Sequence, residues 1–225
     1  MTRNSNARVA GVALLAYIAV GITDMVINRG AKAGADATAK LASMAQHSSD
    51  IRVTILFGMI EVFCALVLAV TLWAITRDED ADLAMLGLVC RVAEGVLGAL
   101  AIPHTLSLVW LATAADLDPA ASRALGSYLF NGGGGMAFTA TFFAVGSLLF
   151  AWLLLRGRMI PVALAWIGVV ASLLLVVVLP LQLAGFVSGP ITRWIWLPMI
   201  FFEVPLAFWF LIKGVAPARL LSGKP

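Results

Sequence analysis

Charged side chains are scarce in this sequence. Asp, Glu, Lys and Arg make up 12% of its 225 residues, about half the share of an ordinary soluble domain, and this excludes a fold wrapped in a solvated polar surface. Histidine and cysteine number two each. His47 and His104 are too few for a histidine-rich metal site or a bis-histidine haem, and nothing in the sequence calls for a cofactor or a metal. Cys64 and Cys90 fall in apolar runs, outside any CxxC or other ligand spacing, and read as small hydrophobes. The four glycines Gly132–Gly135 are not followed by Lys-Ser/Thr, so they form no phosphate loop and read as a break before the next span. No basic stripe with interleaved aromatics is present, so nucleic acid is set aside as a partner despite a pI of 9.2.

What the chain does have is hydrocarbon. Hydrophobic residues make up 62% of it and the mean hydropathy is +1.01. Spans of about 20 residues use most of its length, which suits a single domain over residues 1–225. Six runs stand out: Arg8–Asn28, Ile51–Thr76, Leu83–Ala114, Met136–Leu155, Met159–Phe186 and Ile191–Ile212. They are unbroken and lack the alternation of barrel strands, so the fold class is all-α, a polytopic membrane bundle of six transmembrane helices. The third run exceeds what a bilayer needs and is expected to tilt, kink or project beyond the lipid. The first has Arg3 and Arg8 ahead of it, as a signal peptide would. Its apolar stretch is long, and the small residues of AKAGADA lie well past its end, so it reads as an uncleaved span.

The connections are short. Ala35–Gln46 has the composition of an interfacial helix, and Ser122–Phe130 reads as another short helix with Asp118 and Pro119 as start signals. Asp78, Glu79, Asp80 and Asp82 read as a solvated acidic turn. Trp110, Trp194 and Trp196 read as interfacial anchors. With both termini inside, Arg3, Arg8, Arg77, Arg156, Arg158, Lys213, Arg219 and Lys224 are cytoplasmic, against Arg29, Lys32, Lys40, Arg52, Arg123 and Arg193 outside. The Arg156-Gly-Arg158 turn gives this bias its local strength, placing the protein in the inner (plasma) membrane with both termini cytoplasmic and lipids as its surroundings.

Five ionisable residues stand inside these runs: Asp24, Glu61, Arg91, Glu94 and Glu203. Each costs at least a few kcal/mol in hydrocarbon unless paired, hydrated or neutralised, so all should face the interior. At 1.5 Å per residue, Glu61 lies about 15 Å into its span, Glu94 about as far into the third from the opposite face, and Glu203 about 18 Å into the sixth. Three carboxyls therefore reach one depth, with Arg91 one turn from Glu94 on the same helix face. Asp24, in the outer third, is within reach of His104, which on its own reads as a satisfied buried histidine. Pro198 and Pro205 flank Glu203 and are expected to free two carbonyls of one helix, as Pro103 and Pro180 do in the third and fifth spans. Backbone freed at that depth is tolerated where it lines protein or water.

Arg91-Val-Ala-Glu94-Gly, the stretch GSLLFAWLLLRGRMIPVALAWIGVV (Gly146–Val170) and FEVPLAFWFLIKGV (Phe202–Val215) together resemble a bacterial integral-membrane family filed as domain of unknown function four-three-eight-six. The resemblance covers most of the chain. It implies a bundle of about six helices and no particular activity, because the family's label records none. It also implies prominence for the third-span arginine and the last-span glutamate, here Arg91 and Glu203. Pro198 and Pro205 are not matched to its pattern.

Three readings follow for the interior charges. In the first, Glu61, Arg91, Glu94 and Glu203, with Asp24 and His104 as outlying candidates, line a site that binds or transports a small amphipathic or ionisable ligand. In the second, one protonated glutamate is the general acid of a membrane enzyme acting on a lipid or isoprenoid. In the third, Arg91 pairs with a glutamate and only fixes the arrangement of helices. Three glutamates against one arginine leave at least one carboxyl without a cation, and hydrocarbon disfavours its charged form. This favours the first reading. The sequence names no ligand and no oligomeric state.

Overall fold

The computed structural model describes residues 1–114, 117–131, 135–189 and 191–216. Among them the chain forms ten helices: α1 (Arg3–Ala31), α2 (Ala37–Gln46), α3 (Ser48–Thr76), α4 (Ala81–Ala99), α5 (Ala101–Thr113), α6 (Pro119–Asn131), α7 (Gly135–Arg156), α8 (Val162–Leu183), α9 (Ile191–Trp194) and α10 (Leu197–Ile212). Five helical stretches are long and apolar enough to cross a membrane. They hold α1, α3, α4 with α5, α6 with α7, and α8. The chain is a helical membrane protein. The last expected span is shorter, because α10 has 16 residues and rises about 24 Å.

Helix ends follow local chemistry. Thr2 caps α1 by accepting from the Ser5 amide, Asp36 caps α2 through Ala39, and Asp80 caps α4 through Leu83. The Asp118 carboxylate accepts from the Ala121 amide at 3.0 Å, so the start signal expected for the short helix operates one turn earlier than the expected Ser122. The long third run is broken at Leu100, where α4 ends and α5 begins. Pro103 has no amide proton to give the Ala99 carbonyl, and the chain turns where that bond is missing. Pro205 and Pro180 lie inside α10 and α8. Pro198 does not act as expected. It sits in the first turn of α10, after a break at Ile195 and Trp196, where a missing amide proton costs nothing.

Six helices close a ring. α1 packs against α3 and α10, α3 against α4, α4 against α7, α7 against α8, and α8 against α10. Neighbours in the ring are neighbours in the chain, except where α10 returns to α1. Small residues make the close seams. A side chain at Gly11 would meet the Ala207 carbonyl oxygen at 2.8 Å, and one at Gly168 would meet the Phe202 ring at 2.5 Å. The main core fills the ring with residues such as Leu14, Leu68, Phe143, Leu175, Phe202 and Phe210.

The two ends of the ring differ. At one, α2, α5 and α6 pack on each other over a small second core of Ala31, Met44, Ile51, Leu108 and Val109. At the other, Arg3 Nε donates to the Ile75 carbonyl at 2.8 Å and the Val215 amide to Asn4 Oδ1 at 3.1 Å. There Arg156 also meets Asp80 at 3.2 Å. The acidic turn is thus more than a solvated loop, because Asp80 both caps α4 and ties the end of α7. As labels for the two ends of the ring alone, the first is called outer and the second inner. Of the four glycines before the fourth span, Gly132–Gly134 lie outside the described residues and Gly135 opens α7.

Candidate functional site

The centre of the ring is built around α4. Capping by Asp80 sets its register, and Ala84, Gly87, Arg91 and Glu94 then share the inward face. Two glycines let neighbours come close, Gly87 to the Phe150 ring of α7 and Gly95 to Ala65 of α3. Arg91 and Glu94 are 2% and 4% exposed. The Arg91 stem lies across Gly146 of α7, where a Cβ would meet Cγ at 2.9 Å. Its guanidinium carbon stands 4.8 Å from the centroid of the Phe143 ring and 6.0 Å from that of Tyr17.

The ion pair is close but incompletely bonded. Arg91 Nη1 lies 2.9 Å from Glu94 Oε2, yet its N–H bonds are not aligned on that oxygen. Among the described residues Arg91 Nε and Nη1 and Glu94 Oε2 complete no hydrogen bond. The other carboxylate oxygen accepts from the Tyr17 hydroxyl at 3.0 Å. Buried polar atoms are nearly always satisfied, so unspent donors on a 2%-exposed arginine are unusual.

A cavity of about 30 Å³ opens beside them. Arg91, Ser147 and Glu203 form its polar wall, and Leu72, Leu154 and Phe210 lie towards its inner floor. Since one water needs about 10–15 Å³, the space holds about two.

Of the residues singled out from the sequence, Arg91, Glu94 and Glu203 meet at this centre. Glu61 does not line the cavity. Its Oε1 lies against Gly21 of α1, 2.8 Å from where a Cβ would be, and Gly21 is one turn outward of Tyr17. Asp24 is further out again, accepting from Asn28 Nδ2 at 2.9 Å. Its expected meeting with His104 does not occur, and His104 is not buried. It is exposed on α5, its Nε2 3.1 Å from the Leu129 carbonyl oxygen, because the break at Leu100 and the packing of α6 turn it away from α1. Beyond the span, burial pushes the Lys32 ammonium below its ordinary range, while the Asp24 carboxylate opposes the shift.

Sequence reasoning missed Tyr17, Phe143 and Ser147. A signal for Tyr17 was present. It is one of two tyrosines and sits mid-run, away from the interface where a tyrosine keeps its hydroxyl wet, so it needed a buried acceptor. Phe143 and Ser147 look like any other residues of an apolar run.

A closed ring of apolar helices around one buried, incompletely bonded ion pair defines a polytopic membrane protein with a charged interior site. The family model described as Domain of unknown function (DUF4386) matches residues 9–214, and the chain belongs to that family. No curated protein and no solved structure matches it.

Proposed function

We propose that this is a membrane-embedded binding or transport protein whose site is the cavity walled by Arg91 and Glu203, taking a small amphipathic or ionisable ligand. One observation carries the reading. A purely structural ion pair is closed on itself, whereas Arg91, with Nη1 on Glu94, keeps a buried Nε that completes no hydrogen bond among the described residues, beside a polar-walled space with a second carboxyl on it. A ligand larger than water requires the helices to part. In this reading the protein sits in the inner (plasma) membrane, surrounded by lipid, with both termini cytoplasmic. The gathering of Arg3, Arg77, Arg156 and Arg158 towards one end supports that orientation.

Native mass spectrometry of the protein released from detergent tests the proposal. The wild type is expected to carry a small-molecule adduct besides lipid. Glu203→Gln, which keeps shape and removes the carboxylate, is expected to lose it while melting near wild type. A wild type that carries lipid alone, and is not stabilised by any member of a panel of small amines and carboxylates, rules the reading out.

A further inference from the structure

One line of polar groups is not used by the central site. On α1, Tyr17, Gly21, Asp24 and Asn28 recur at helical spacing on the side that faces α3. On α3, Thr54 and Glu61 stand seven residues apart and face back. The members are in sequence with one another. Asn28 and Asp24 are bonded at 2.9 Å, and Thr54, whose hydroxyl donates to the Ile51 carbonyl at 2.8 Å, stands on the facing helix. Glu61 lies against Gly21, one turn along α1 from Asp24 on one side and from Tyr17, which bonds Glu94, on the other. Glu94 then bonds Tyr17 and pairs with Arg91, which opens on the cavity with Glu203. From Asn28 to Tyr17 this covers about 16 Å of the bilayer, at 1.5 Å per residue.

The line stops at the cavity. Inward of Arg91 and Glu203 the ring is filled by Leu72, Leu154, Leu206 and Phe210, then by Ile75 and Met159, which are 0% and 1% exposed. The inner end is tied across by Arg3, Asn4 and Asp80. Carboxyls, a hydroxyl and an amide can each accept and release a proton or hold the water that carries one, whereas leucine and phenylalanine can do neither. The Glu61 carboxyl fills the notch left by Gly21, which sets a protonatable group between the two helices.

We propose that the α1–α3 seam is a proton half-channel, open from the outer end through Asp24 and Glu61 to Glu94 and the Arg91–Glu203 cavity, and closed inward by the Leu72–Leu154–Phe210 plug. It rests on the binding or transport reading of that cavity and names its coupling ion. The unspent Arg91 donors, on a side chain 2% exposed, mark the inner terminus as a place that holds water or a ligand. The groups facing the track are Asn28, Asp24 and Tyr17 from α1 and Lys32 at its mouth, Thr54, Glu61 and Cys64 from α3, Arg91 and Glu94 from α4, and Glu203 from α10.

The test opens the plug. Purified protein is reconstituted in vesicles holding a pH-sensitive dye, and a potassium gradient with valinomycin drives protons. Wild-type vesicles should be as tight as protein-free ones. Leu72→Asn, and separately Leu154→Asn, should leak protons, and adding Glu61→Gln should return each to the wild-type rate. A leak that survives Glu61→Gln, a wild type that leaks unaided, or a plug variant that folds and stays tight overturns the proposal. Should neither plug variant fold, the carboxyl infrared band that Glu61→Gln removes decides the matter in oriented wild-type vesicles. It should follow the pH set on the Asp24 side, and following the Arg3 side instead overturns the half-channel. The mass-spectrometric adduct is read without protons, so loss of the leak leaves the ligand reading standing, and loss of the adduct leaves the path standing.

Discussion

Arg91 and Glu94 share one charge contact, and their neighbours decide what each substitution does. Arg91→Leu strands the Glu94 carboxylate, and Glu94→Gln strands the guanidinium. Each should lower stability by about 3–5 kcal/mol, as breaking a buried pair does. Glu61 and Glu203 are not in that contact, so Glu61→Gln and Glu203→Gln should melt close to wild type in detergent. If all four variants melt equally low, the glutamates are scaffold. Tyr17→Phe removes a donor to a charged acceptor and should cost about 1.5–3 kcal/mol in the same assay. The carboxylates and the arginine were legible in the sequence because charge in hydrocarbon is conspicuous. Phe143, over the guanidinium, was not, because an aromatic in an apolar run carries no mark of what it faces. His104 was misread for a related reason. Its depth followed from counting residues, but its direction depended on the break at Leu100.

Helices were read well where the backbone signals are local. Asp118 and the small-residue stretch before Gln46 gave a start signal and short helices that the structure contains, whereas the Asp80 cap was hidden in what read as a solvated turn. Pro103 gave the expected break, whereas Pro198 was taken for an interior proline when it opens a helix, since a proline has the same sequence signature in either place. The seams between helices lend themselves to a paired test. Gly146→Ala places a methyl 2.9 Å from the Arg91 Cγ atom and should disturb the ion pair, lowering the melting point. Gly98→Ala meets only the Thr139 methyl at 4.0 Å and should be neutral or slightly stabilising. Equal melting of the two would show that the Arg91 stem has room to shift.

For the whole molecule, the membrane class was legible in the apolar runs but the ring was not. Helices such as α3, α7 and α8 are apolar nearly all round, so no stripe tells which face turns inward or which helix lies beside which. Reporter fusions after Asp80 and after Arg158 should both report cytoplasm, and an external signal from either would reverse the orientation. The arrangement around the ring also bears on how it is made. Among the described residues of the ring, the α10–α1 seam joins the first helix to the last while the other five link helices that follow one another around it, so five seams can form as successive helices emerge and the last waits for the final helix. Until then the charged centre lacks Glu203 and lies open on one side. Because Arg91 and Glu94 are three residues apart on one helix, α4 can enter lipid with its two opposite charges already joined, before any other helix arrives to shelter them.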